Sequence, residues 1–155
     1  MDTTTFQELY DEHAADVHRF ARYLTGSDDA AADITSEVFL RAWTGRDTLR
    51  AVTAKAYLLA IARNLARDRY RFSRRWLGAE MPDPAVGPDA DARLELNRAL
   101  DAARKLPEAY REPLLLVASG QTYEEAGRVL DLTVSTVKIR VHRARLMLVR
   151  SVPQH

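Results

Sequence analysis

The stretch VSTVKIRVHRAR, Val134 to Arg145, carries five basic or potentially basic side chains and no acid, while its apolar residues recur at helical spacing. On a wheel of about 100° per residue, Val137, Val141, Ala144 and Leu148 fall in one narrow arc and form the edge that must be buried. Opposite them lie Ser135, Lys138, Ile139, His142, Arg143 and Leu146, with Thr136, Arg140 and Arg145 flanking. This chemistry suits a polyanion with readable edges. Lysine and arginine bond guanine, serine serves either base type, and Ile139 can touch a thymine methyl. The flanking Arg140 and Arg145 are better placed for phosphates, which give affinity without sequence information. A solvated basic helix closing a bundle is the bland alternative.

A second cationic segment runs from Lys55 to Arg75, with seven bases against Asp68 alone. Leu58, Ile61, Leu65 and Phe72 are expected to form its apolar stripe. Arg63, Asn64, Arg67, Arg71 and Arg74 collect on the other side, with Tyr57 and Arg75 at the edge. Guanidiniums beside aromatic and amide groups suit single-stranded or melted nucleic acid, where phosphates and unstacked bases both need partners. Arginines that only solubilise a helix are the competing reading.

The elements that must position these residues read as helices throughout. Residues 1 to 81 hold no proline, and no segment alternates apolar and polar residues long enough for a sheet. The pattern predicts helices at about Thr5–Leu24, Asp29–Thr44, Lys55–Arg75, Arg93–Lys105, Glu108–Ala118, Tyr123–Leu130 and Val134–Val149. In the second helix Ile34, Val38 and either Leu40 or Trp43 point inward. Thr25–Asp29 supplies turn and cap residues, and GRDTLRAVTA is a looser connection. Thr122-Tyr123-Glu124-Glu125 has the form of a capping box. The short helix after it and the tight DLT connection give the outline of a helix-turn-helix. Between the two halves, Gly78–Ala92 holds three of the six prolines and two of the six glycines, so it reads as a linker. The expected fold is all-α: residues 1–76 and 93–155 form two helical modules, joined by a flexible linker at 77–92.

Composition excludes several classes. The 155 residues are 46% hydrophobic and 29% charged, enough for a real core. There is no cysteine, hence no disulfide and no thiolate metal site. The four histidines, His13, His18, His142 and His155, form no paired metal spacing, and no phosphate loop or nucleophile elbow appears. Asp28, Asp29, Asp33 and Glu37 read as helix-capping acids rather than a cation site. The start MDTTTFQELYDEH lacks the marks of a secretory signal, and no apolar run approaches the roughly 20 residues that span a bilayer. A cytoplasmic protein without membrane insertion is the expectation. The net charge is only +1, but it is unevenly spread: nine acids face two arginines from Met1 to Glu37.

Taken together, FQELYDEHAADVHRFARYLTG, DITSEVFLRAW and AYLLAIARNLARDRYRFSRR resemble region 2 of the extracytoplasmic-function sigma factors of bacterial RNA polymerase. LPEAYREPLLLVASGQTYEEAGRVLDLTVSTVKIRVHRAR resembles their region 4. The resemblance covers roughly residues 6–75 and 94–149. It implies a non-enzymatic protein that binds core RNA polymerase through the β′ clamp helices and the β flap, and promoter DNA through both modules. Such a protein is nucleoid-associated when bound to polymerase. No cofactor or metal is implied. Asp33, Ser36, Glu37 and Arg41 match the positions that dock on the β′ clamp helices; without the resemblance, ordinary helix N-terminal acids favoured by the dipole would be the first reading of the acids among them. Asn64 matches the asparagine that partners a flipped base of the −10 element, with Arg63, Arg67, Arg71, Arg74 and Arg75 holding backbone. The positions matching −35 recognition are Ser135, Thr136, Lys138, Ile139, Arg140, His142, Arg143 and Arg145. An anti-sigma factor is a further implied partner that no residue identifies.

The sequence departs from the family pattern in five places. Ser36 stands where glutamine is usual, Gly127 where a small alanine is, Asp131 where glycine often makes the turn, Thr133 at a common proline, and Ile139 at a frequently polar position. Gly127 is expected to cost up to about 1 kcal/mol of helix propensity, and Thr133 to cap the last helix. A free-standing helix-turn-helix regulator remains the rival reading, but it leaves DITSEVFLRAW and the basic Lys55 helix without a role.

Overall fold

The computed structural model describes residues 2–72 and 90–151. Arg74, Arg75 and most of the expected linker lie outside them. Within the described residues the chain forms seven α-helices and one short 3-10 helix, with no strand. It divides into two compact units, 1–80 and 81–155.

In the first unit, α1 (Thr3–Thr25), α2 (Asp28–Thr44) and α3 (Ala54–Phe72) all pack on one another. Local chemistry sets the ends of α1. The Asp2 carboxylate accepts the Thr5 N–H at 2.8 Å, and Gly26 closes the helix at φ 76°, donating its N–H to the Arg22 carbonyl. Ser27 then caps α2 by accepting from Ala30 N–H, and Asp28 and Asp29 occupy the first turn, where the helix dipole favours acids. The core is built from Val17, Phe20 and Ala21 of α1, Val38 and Ala42 of α2, and Leu58, Leu59 and Ala62 of α3, all fully buried.

Trp43, not Leu40, turns inward: its ring meets Phe6 edge-on at 5.0 Å, and Leu40 is 59% exposed. The expected loose connection contains a 3-10 turn, Arg46–Thr48. Arg46 lies over the Trp43 ring at 3.9 Å and donates to the Trp43 carbonyl at 2.9 Å.

The stripe expected on α3 is rotated. Leu58 is buried, but the other buried positions are Ala54, Leu59, Ala62 and Ala66, while Ile61 and Leu65 are half-buried and Phe72 is exposed. Alanines let the three helices approach closely, so the small residues, rather than the largest, mark the packed side.

In the second unit, α4 (Ala90–Arg104) begins three residues before the expected start. It packs on α5 (Glu108–Ala118) and α7 (Val134–Ser151), and α6 (Tyr123–Leu130) packs on both α5 and α7. Pro107 stands at the N-cap of α5, and Pro113 sits buried inside it. Leu100, Leu115, Leu116, Val129, Val137 and Val141 form the core.

Candidate nucleic-acid interface

The turn between α6 and α7 fixes how α7 is presented. The capping box at the start of α6 is complete: Glu125 N–H donates to Thr122 Oγ1 at 3.0 Å, and Thr122 N–H donates to Glu125 Oε1 at 2.9 Å. At the other end Asp131 adopts the left-handed conformation, φ 56° and ψ 49°, and both Asp131 and Leu132 N–H groups donate to the Gly127 carbonyl. That tight fold-back brings the Leu132 carbonyl against Gly127, where a Cβ would lie 2.6 Å from the oxygen. Gly127 is therefore more than a propensity cost, because the close approach requires it. Thr133 caps α7 as expected: its Oγ1 accepts from Thr136 N–H at 3.2 Å and donates to Thr136 Oγ1 at 2.9 Å.

With the turn so fixed, Val137, Val141 and Ala144 are buried and Leu148 is half-buried. Ser135, Lys138, Ile139, His142, Arg143 and Arg145 are exposed, and Thr136 and Arg140 are intermediate. Ile139 is 51% exposed, a substantial apolar surface amid cations. Among the described residues no acid lies within ion-pair distance of Lys138, Arg140, Arg143 or Arg145.

On α3, Tyr57, Asn64 and Arg71 follow one another at seven-residue intervals and are all exposed. Arg63 and Arg67 flank them and are half-buried, with the Arg63 Nε–H buried and lacking a hydrogen-bond partner among the described residues. The exposed face is more aromatic than the sequence pattern indicated, because Tyr70 and Phe72 are about half exposed. Phe72 follows Leu58 and Leu65 at seven-residue intervals, so helical period alone set it in the apolar stripe and carried no signal of its exposure. Asp68 is also exposed, so the strip is basic but not uniformly so. Val52, in the connection before α3, is 88% exposed.

The four residues matched to polymerase docking share one side of α2. Asp33, Ser36 and Arg41 are exposed and Glu37 is intermediate. Glu37 accepts from Arg41 Nε at 3.0 Å, and Asp33 faces Arg69 of α3 at 3.8 Å. Leu40, which sequence reasoning left between two orientations, is exposed in the middle of this side.

Among the described residues no group of three or more histidine or acidic side chains is placed to hold a metal ion, and no helix is long and apolar enough to cross a membrane.

Comparison with known proteins agrees with the two-unit division. Residues 9–76 match the model of Sigma-70 region 2, and residues 96–148 match that of Sigma-70, region 4. The ECF RNA polymerase sigma factor EcfG of Rhodopseudomonas palustris is 39% identical over 132 residues, covering 81% of this chain and 73% of that protein. The chain spans between 60% and 73% of the length of the first three curated relatives it matches. Among solved structures, CnrH in complex with the cytosolic domain of CnrY aligns with a TM-score of 0.74 at 29% identity, over 96% of this chain and 88% of that one. The sigma factor RpoE of Bartonella quintana, in complex with the anti-sigma factor NepR, aligns with a TM-score of 0.72 at 27% identity, over 97% of this chain and all of that one.

Proposed function

This chain belongs to the extracytoplasmic-function family of RNA polymerase sigma factors, and from that premise we propose that it directs promoter-specific initiation by lending DNA recognition to core RNA polymerase. In this reading α7 enters the major groove of the −35 element. Ser135, Thr136, Lys138, Ile139, Arg140, His142, Arg143 and Arg145 meet bases and phosphates there. The exposed face of α3 takes the melted −10 element, with Asn64 bonding an extruded base and Arg63, Arg67 and Arg71 on the backbone; Arg74 and Arg75 extend this set. Asp33, Ser36, Glu37 and Arg41 of α2 dock on the basic β′ clamp helices, with Leu40 adding apolar contact at the centre.

The observation that carries the reading is the cationic face of α7, which no acid among the described residues pairs and which a tight, capped turn presents. A second basic face on a separate unit argues against a free-standing regulator, since two weak contacts on one tether gain effective concentration only when both sites are on the same DNA. No step here makes or breaks a bond. The sigma factor selects and opens DNA, and the polymerase performs the chemistry. The two solved relatives are complexes with CnrY and NepR, the latter an anti-sigma factor, which supports an inhibitory partner of that kind for this chain.

Reconstituted transcription tests the proposal. The chain is added to sigma-free core polymerase on a genomic fragment library, and transcript 5′ ends are mapped. A shared pair of upstream elements among the start sites is expected. Random initiation, no different from core polymerase alone, contradicts the reading.

A further inference from the structure

Lys138 differs from the other outward residues of α7. The sequence reading grouped Lys138 with the residues opposite the buried edge, but it stands only about 100° from Val137, on a flank, whereas Ser135, Ile139, His142 and Leu146 occupy the outward centre. That flank faces α6. The Lys138 ammonium sits 5.6 Å from the centroid of the Tyr123 ring. Tyr123 is the first residue of α6, half-buried, and it directly follows the Thr122 cap. The two reciprocal hydrogen bonds between Thr122 and Glu125 fix the backbone on either side of it, so the ring is attached to a turn held at both ends.

A cation within about 6 Å of an aromatic centroid is drawn to the ring face. The attraction orders a four-carbon stem that would otherwise sample many rotamers. In a groove-bound helix, the outward centre reaches base edges and the flanks meet the sugar-phosphate rims. A lysine held toward the first helix of the pair is held away from the groove floor.

We infer that Tyr123 is a positioning residue that holds the Lys138 ammonium at the phosphate rim, so that Lys138 contacts the DNA backbone while Ser135, Ile139 and His142 carry the base readout. The inference rests on the proposed role of α7 in DNA reading, and it reassigns Lys138 from guanine recognition to phosphate contact.

The experiment uses the full chain bound to core RNA polymerase. The probe is a pool of random promoter-length duplexes enriched on the wild-type holoenzyme, followed by single-base variants across the enriched upstream element. Lys138→Ala is expected to weaken binding by the same factor on every variant, about 10-fold, leaving the order of preferred bases unchanged and reducing the slope of log affinity against log salt by about 1. Tyr123→Leu is expected to weaken binding about 2–5-fold in the wild-type background and not at all in the Lys138→Ala background. Tyr123→Phe, which keeps the ring, matches wild type.

Three results overturn the inference: a changed base preference at one position in Lys138→Ala, additive losses in the double variant, or a loss in Tyr123→Phe equal to that in Tyr123→Leu. If Tyr123→Leu does not fold, the salt slope of Lys138→Ala and the behaviour of Tyr123→Phe still decide. Substitution of Ile139 or His142 separates the two levels of the reading. If these variants shift the preferred bases, the DNA-reading role stands whatever Lys138 does. If the wild-type holoenzyme enriches no upstream element, that role falls and this inference falls with it.

Discussion

Gly127 and Leu132 touch through their backbones: the Leu132 N–H donates to the Gly127 carbonyl at 2.9 Å, and the Leu132 carbonyl oxygen occupies the space where a Cβ on residue 127 would be. This contact folds α6 back onto α7 and so sets the angle at which the cationic face is offered. Alanine at 127 gains about 1 kcal/mol of helix propensity but forces the turn open, an overlap that typically costs 1–3 kcal/mol. Because the obstructing atom is backbone, Gly127→Ala is expected to destabilise the second unit by about 1 kcal/mol net. Faster hydrogen exchange at α6 and α7 amides, with α1–α3 unchanged, would register it.

Asp131 completes the same turn at φ 56°, the one non-glycine residue among those described with a positive φ. A side chain there carries a backbone penalty that glycine avoids. Asp131→Gly is expected to be neutral or to stabilise the unit slightly. Asp131→Val is expected to destabilise it by about 1–2 kcal/mol, since a β-branched residue resists this region most. Denaturant midpoints of the two variants check the order.

Gln121 is 3% exposed, and neither side-chain amide atom finds a hydrogen-bond partner among the described residues. An unsatisfied buried amide costs about 1–3 kcal/mol. Gln121→Leu removes the polar atoms at similar volume and is expected to raise the melting temperature of the second unit by about 4–8 °C for each kcal/mol recovered. A fall in stability would mean that an ordered water satisfies the amide.

Asp2 gives a pH dependence of known sign. Its carboxyl is held below the usual 3.8, chiefly by the Thr5 backbone N–H that it accepts. A depressed folded-state value means that the cap contributes fully above the unfolded value and is lost as pH falls through the folded one. The amide of Thr5 is therefore expected to lose exchange protection on acidification below about pH 4. Asp2→Asn, which caps without titrating, should hold that protection flat across the same range.

Much of this arrangement was legible in the sequence, and the reasons differ by element. The Thr122–Glu125 box, the Thr133 cap and the buried edge of α7 are local or strictly periodic signals, and they stand in the structure as read. The packed side of α3 was misjudged because hydropathy favours large residues, whereas the close approach of three helices selected Ala62 and Ala66 and left Phe72 outside. Leu40 and Trp43 were indistinguishable by period, and aromatic contact with Phe6 decided between them. Gly127 read as a cost, since the atom that demands it comes from five residues away in a turn whose geometry no propensity encodes. The burial of Gln121 and Glu112 likewise depends on tertiary packing.

Docking on core polymerase is the claim on which the rest depends, and Glu37 tests it with little risk to the fold. Its ion pair with Arg41 is solvent-exposed and contributes at most about 1 kcal/mol, so Glu37→Arg should fold. The measurement is co-elution with sigma-free bacterial core RNA polymerase on a sizing column. The account predicts stoichiometric co-elution of the wild-type chain and its loss in Glu37→Arg, with unchanged helical circular dichroism. A wild-type chain that binds DNA but elutes apart from the polymerase would contradict it, and would make the side of α2 from Asp33 to Arg41 an ordinary helix surface.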